Sequence, residues 1–114
     1  MMKVVFVLKG DPFSWKAHES FRVAIAVGMN HELDFVFLRD GVYTLTRWSP
    51  EDLGIDSFEK FYETLDTLNI RLIVEDASVQ ERGLKETDLP EKVEVMSAEE
   101  ISELISSAEA VFIW

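Results

Sequence analysis

Val4-Val5-Phe6-Val7-Leu8 is an uninterrupted apolar run that closes at Lys9-Gly10-Asp11. A strand with one wet face would alternate apolar and polar residues. A run with no polar interruption fits a strand covered on both faces, the habit of parallel sheets lying between helices. The next segment changes period. From Lys16 to Met29, the residues Ala17, Phe21, Ala24, Ile25 and Gly28 fall on one face of a helix. Asp11 or Ser14 is placed to cap its start and Asn30 to close it.

The same alternation recurs along the chain. Leu33–Leu38 reads as a second strand, apolar apart from Asp34. Asp40-Gly41 then makes a turn, Val42–Leu45 a short helical or irregular piece, and 47–56 a loop containing Trp48, Ser49-Pro50 and Gly54. Ser57 caps a helix whose apolar positions are Phe58, Phe61, Tyr62, Leu65 and Leu68. Ile70–Val74 is a third strand. Ala77–Arg82 makes one or two helical turns, ended by Gly83 in a left-handed cap. Lys92–Met96 is a fourth strand interrupted by Glu94. Ser97-Ala98-Glu99-Glu100 has the form of a capping box, opening a helix with Ile101, Leu104, Ile105 and Ala108 inward. Ala110–Trp114 is the fifth strand.

Five apolar strands joined by helical crossovers predict an α/β fold. The expectation is one three-layer α/β/α domain over residues 1–114, with a five-stranded, mainly parallel sheet and right-handed crossovers. Strand order does not follow from the sequence. With 114 residues and 47% hydrophobic content, the chain has material for one core.

Composition narrows the function. The chain holds 22 Asp and Glu against 11 Lys and Arg, a formal charge of −11, with no basic stripe. That field repels phosphate backbones, so direct nucleic-acid binding is not expected. Cysteine is absent, which excludes disulfides, thiolate nucleophiles and persulfide carriage by this chain. The first apolar run is shorter than the roughly 7–15 residues of a signal segment or the about 20 of a membrane span. A cytoplasmic, soluble protein without a membrane anchor is the expectation.

In an open parallel sheet, ligands sit beyond the carboxyl ends of the strands. The segments there are 9–15, 39–56, 75–84 and Ser97. Gly10 has no companions to form a G-x-G-x-x-G or G-x-x-x-x-G-K-[ST] cradle. Asp11, Asp40, Glu75 and Asp76 are carboxylates near strand ends, a possible acid–base set. Set against this, Asp11 and Asp40 are natural turn formers beside Gly10 and Gly41. His18 and His31 make no metal-ligand spacing, and Ser78 has neither a G-x-S-x-G elbow nor a neighbouring base in sequence. No cofactor or metal site is expected.

Three stretches together carry a family likeness: the opening Met2–Leu8, the run Phe35–Leu45 with Asp40-Gly41-Val42 inside it, and Ala77–Leu84 ending in Glu81-Arg82-Gly83-Leu84. In this order and separation they resemble the DsrE/DsrF/DsrH-like family, most closely its TusC/DsrF branch, over nearly the whole chain. The resemblance implies a subunit that assembles with related small chains, TusB- and TusD-like or DsrE- and DsrH-like. There the TusD or DsrE partner carries a persulfide toward tRNA 2-thiouridine synthesis or sulfur oxidation. It also implies that the family's sulfur-carrying cysteine, eight residues before the glycine of Arg82-Gly83, corresponds here to Glu75.

Two other readings stand beside it. A stand-alone ligand module or enzyme would use a pocket lined by Asp11, Asp40, Glu75 or Arg82. A homo-oligomer would space its acidic surfaces around an aromatic contact, whereas for the relay subunit Trp15, Trp48 and Trp114 are the first interface candidates.

Overall fold

The computed structural model describes residues 2–13, 15–46, 59–90 and 92–114. Ser14, Ser57, Phe58 and Trp48, and with them two of the expected caps, lie outside the described residues. The strands are β1 (Lys3–Leu8), β2 (Glu32–Phe37), β3 (Arg71–Glu75), β4 (Val93–Met96) and β5 (Ala110–Ile113). They form one five-stranded sheet in the order β4-β3-β2-β1-β5, every neighbouring pair parallel. The helices are α1 (Trp15–Gly28), α2 (Glu59–Thr67), α3 (Asp76–Glu81) and α4 (Ala98–Ser107).

The apolar runs are explained by what covers them. Val4, Phe6, Leu8, Phe35, Phe37 and Val74 point to one side, where they pack with Ala17, Phe21 and Ala24 of α1 and Leu65 of α2. Val5, Val7, Val36 and Ile73 point to the other and meet Ile101, Leu104 and Ile105 of α4. Each strand alternates its side chains between two dry layers, so no polar residue is needed in either set. The first layer is aromatic: Phe21 stacks on Phe61 with centroids 5.4 Å apart and on edge against Tyr62, while Phe35 and Phe37 stack at 4.5 Å.

Several local expectations meet a different arrangement. Asn30 does not close α1 in a left-handed conformation; its N–H donates to the Val27 carbonyl, and among the described residues the left-handed non-glycine ones are Arg39 and Asn69. The turn at Asp40-Gly41 is part of a 3₁₀ helix, Arg39–Leu45. Gly41 is required there by proximity, since a Cβ would lie 2.1 Å from the Leu8 carbonyl oxygen. Two expectations hold in detail. Gly83 follows α3 with φ 65°, and Ser97 and Glu100 form a reciprocal capping box at the start of α4.

Candidate functional site

Parallel pairing brings the ends of β1, β2 and β3 to one edge of the sheet. The Leu38 N–H donates to the Leu8 carbonyl at 3.0 Å, and the Gly41 N–H turns back to the Leu38 carbonyl at 2.9 Å. This folds the start of the 3₁₀ helix over the end of β1. Beside it, β3 passes directly into α3 at Glu75, which is half-buried.

Glu75 is engaged locally. The Ser78 hydroxyl donates to its Oε1 at 2.6 Å and accepts the Arg39 N–H at 2.9 Å. Ser78 is buried, so its hydroxyl joins α3 to the left-handed residue Arg39 and is not presented to solvent. A nearby carboxylate is thus present three residues before Ser78, where the sequence offered no adjacent base, yet burial and both bonds remove the serine as a nucleophile. Arg82 makes a second tie between the same segments. Its Nε and Nη2 donate to Asp40 Oδ1 at 3.1 and 3.0 Å, and its Nη1 donates to the Ser78 carbonyl. The guanidinium also lies 5.9 Å from the centre of the Tyr43 ring.

Of the other strand-end candidates, Asp11 and Asp76 do not converge on these groups. Asp11 accepts the Phe13 N–H at 2.9 Å, a turn just ahead of α1. Asp76 accepts the N–H of Ala77. Asp40 is committed to Arg82. An open groove of about 570 Å³ lies instead along the outer face of α1, lined by Trp15, His18, Glu19, Arg22, Val23 and Ala26. None of Asp11, Asp40, Glu75 or Arg82 is among those residues. Among the described residues, no group of three His, Cys, Asp or Glu side chains is placed to hold a metal. His18 meets Phe61 edge-on, and His31 Nδ1 accepts the Met2 N–H. Trp15 is 70% exposed. Trp114 is half-buried and packs on Phe6 at 4.9 Å, so it serves the core as well as the surface.

A second polar cluster, which sequence reasoning missed, lies at the opposite ends of the strands. Asp34, in the middle of the sheet, is buried, with Oδ2 2.9 Å from Lys3 Nζ and 3.5 Å from Arg71 Nη1. Lys3 also pairs with Glu32, and Arg71 with Glu94. The hydrogen bond to Asp34 holds the Lys3 amine above its usual range, and the bond to Glu94 does the same for Arg71. The available signal was a lone acid in an apolar strand with cations opening both neighbouring strands; register, which aligns them, is not readable from one strand.

Comparison with known proteins places this architecture. The model of the DsrE/DsrF-like family matches residues 2–113. The chain belongs to the DsrE/DsrF-like family. It is 33% identical over 119 aligned positions to the intracellular sulfur oxidation protein DsrF of Allochromatium vinosum, covering 90% of this chain and 86% of that one. In structure, this DsrE/DsrF-like chain is similar to the YchN protein of E. coli, with a TM-score of 0.87 at 25% identity and full coverage of both chains. The fold is also that of MTH1491, a protein of unknown function from Methanobacterium thermoautotrophicum, with a TM-score of 0.76 at 21% identity. Among the described residues, no helix of this family member is long and apolar enough to cross a membrane.

Proposed function

We propose that this chain is a non-catalytic, TusC/DsrF-like subunit of a sulfur-relay complex, holding a persulfide-carrying homologue in place without carrying sulfur itself. The observation that carries this reading is the combination of whole-chain membership in the DsrE/DsrF-like family with a complete lack of cysteine. Sulfane sulfur is passed between thiols, and a carboxylate at the end of β3 offers no sulfur to form the persulfide bond. Glu75 is taken as the residue at the family's cysteine position. Its bond to Ser78 supports a structural task for it, steadying α3 against the loop after β2. The tRNA-thiolation and sulfur-oxidation branches remain equal candidates for the pathway, and the partners are small TusB/TusD- or DsrE/DsrH-like chains.

The test is affinity purification of the tagged chain from its own host, followed by mass spectrometry. Small homologous chains bearing a cysteine at the end of the third strand, recovered in fixed ratio, are the expected result. A chain recovered alone under gentle salt overturns the relay assignment and returns attention to a ligand for the strand-end residues. Glu75→Cys tests the positional claim separately, because it introduces the chain's sole thiol. A cysteine desulfurase should load that thiol with sulfane sulfur; an inert thiol in a folded variant would remove Glu75 as the family position.

A further inference from the structure

The sheet runs outward from β1 through β2, β3 and β4, and the chain then returns to place β5 on the other side of β1. In open parallel sheets, ligands bind at the carboxyl ends beside such a reversal. Two cations stand there. The Leu38 N–H donates to the Leu8 carbonyl, and Lys9 and Arg39 are the residues that follow this bonded pair. Neighbouring strands lie about 4.8 Å apart and one residue adds about 3.8 Å, so the two Cα atoms are within about 9 Å. Both side chains are long and exposed, so their heads can meet on one small molecule. Gly10 beside them is exposed as well, and a Cβ there would meet nothing within 4 Å.

The backbone of Arg39 is strained. Its φ is 51°, a left-handed value that arginine rarely adopts and glycine adopts freely. The conformation is enforced from outside the residue. The Arg39 N–H donates to the buried Ser78 hydroxyl at 2.9 Å, Ser78 is fixed in turn on Glu75, and the preceding Leu38 is bonded to Leu8 and Gly41. Strain that the surroundings over-determine clusters where a side chain is in use. Glycine would satisfy this backbone at lower cost, so what arginine adds is its guanidinium. Asn69 raises no such question, because asparagine tolerates the left-handed region.

That guanidinium is uncommitted. Among the described residues, Arg71 and Arg82 pair with carboxylates, whereas Arg39 and Lys9 do not, in a chain where acids outnumber bases two to one. The nearby carboxylates are turned elsewhere: Asp40 to Arg82, Glu75 to Ser78, Asp11 to the Phe13 N–H and Asp76 to the Ala77 N–H. We infer that Lys9 and Arg39 bind a small tetrahedral oxyanion at the carboxyl ends of β1 and β2. A guanidinium presents a planar fork of donors to two oxygens at once, and an ammonium adds a donor from another direction. Several oxygens on one centre match that set; a monatomic halide does not. The −11 charge opposes any anion at long range, but at physiological salt it is screened beyond about 8 Å. Both heads are solvated, so binding is weak, with a dissociation constant on the order of 1 mM.

This site goes beyond the relay assignment and is tested on the purified chain alone, whatever partners it has. Thiosulfate and phosphate are titrated separately at ionic strength held constant with sodium chloride, and followed by amide NMR. Saturable shifts at Gly10 and Asp40 are expected with one oxyanion or both, and the tighter of the two names the ligand's chemistry as that of sulfur or of phosphorus. Arg39→Gln should weaken binding at least about tenfold, Lys9→Gln less, and Lys85→Gln, an exposed cation beyond α3, not at all. Arg39→Gly separates side chain from backbone, because it removes the guanidinium and the strain together. It should abolish saturable binding while raising the urea midpoint, and it fits the observed φ, so it decides the matter if Arg39→Gln fails to fold. Wild-type shifts that never saturate, saturable binding that survives Arg39→Gly, or a lower urea midpoint in that variant overturns the inference.

Discussion

The amino and carboxyl ends of this sheet use polar side chains for different purposes. At the amino ends, Glu32, Lys3, Asp34, Arg71 and Glu94 form a line of ion pairs across β1, β2, β3 and β4. These bonds link strand to strand and so bear on alignment. At the carboxyl ends, Glu75–Ser78–Arg39 and Arg82–Asp40 link α3 to the segment after β2. They position connections and leave the ladders alone. A substitution at the carboxyl end therefore alters the chemistry of the loops while the sheet stays in register. That separation lets a strand end change its side chains without disturbing the strand pairing.

The largest effect should come from Gly41→Ala. The Leu8 carbonyl is main chain and cannot swing away, so a loss of about 4–5 kcal/mol of stability is expected. Urea unfolding measures it, and a loss below about 1 kcal/mol would mean that the 3₁₀ helix is not pinned on β1. Asp34→Ala should follow, at about 3 kcal/mol, because it leaves two cations without their buried partner. If the amino-end line governs alignment, hydrogen exchange should rise in β1, β2 and β3 together.

Ser78→Ala should cost about 1–3 kcal/mol, since the Arg39 N–H loses its acceptor. Here exchange should rise in α3 and the Arg39–Leu45 helix while the strands stay protected; strand deprotection would dissolve the contrast between the two ends. The smallest effect concerns pH. Lys3 has a folded pKa above its ordinary value of 10.5. Its contribution is complete below that value and is lost as pH rises through the folded pKa. Stability should thus fall more steeply above about pH 10.5 in the wild type than in Lys3→Met, as read by denaturation at alkaline pH.

Periodicity carried most of the fold. Five apolar runs and the helical spacing of Ala17, Phe21 and Ala24 or Ile101, Leu104 and Ile105 are local signals of two-sided burial, and each became the expected element within a residue or two. Gly83 and the Ser97 box were legible for the same reason, because caps are written within four residues. Strand order was not, since the placement of β5 beside β1 depends on the long crossover through α4. The strand-end carboxylates lie near one edge of the sheet, and what each of them bonds is a matter of contacts that the sequence does not show. Asp11 and Asp76 spend their oxygens on adjacent N–H groups and Asp40 spends its own on Arg82. Asp34 was visible only as an interruption, because its partners Lys3 and Arg71 are brought to it by pairing between distant segments.

The position of β5 has a temporal consequence. β1 lies inside the sheet, yet one of its two neighbours is β5, some hundred residues further along the sequence. During synthesis, β1, β2, β3 and β4 can line up in order as they emerge, but the outer side of β1 stays open until residues 110–113 follow. A nascent chain that has exposed everything up to α4 still shows Val4, Phe6 and their neighbours along an uncovered border. Pairing of β5 with β1 closes that border, and a nascent chain still lacking β5 is the form most in need of a chaperone.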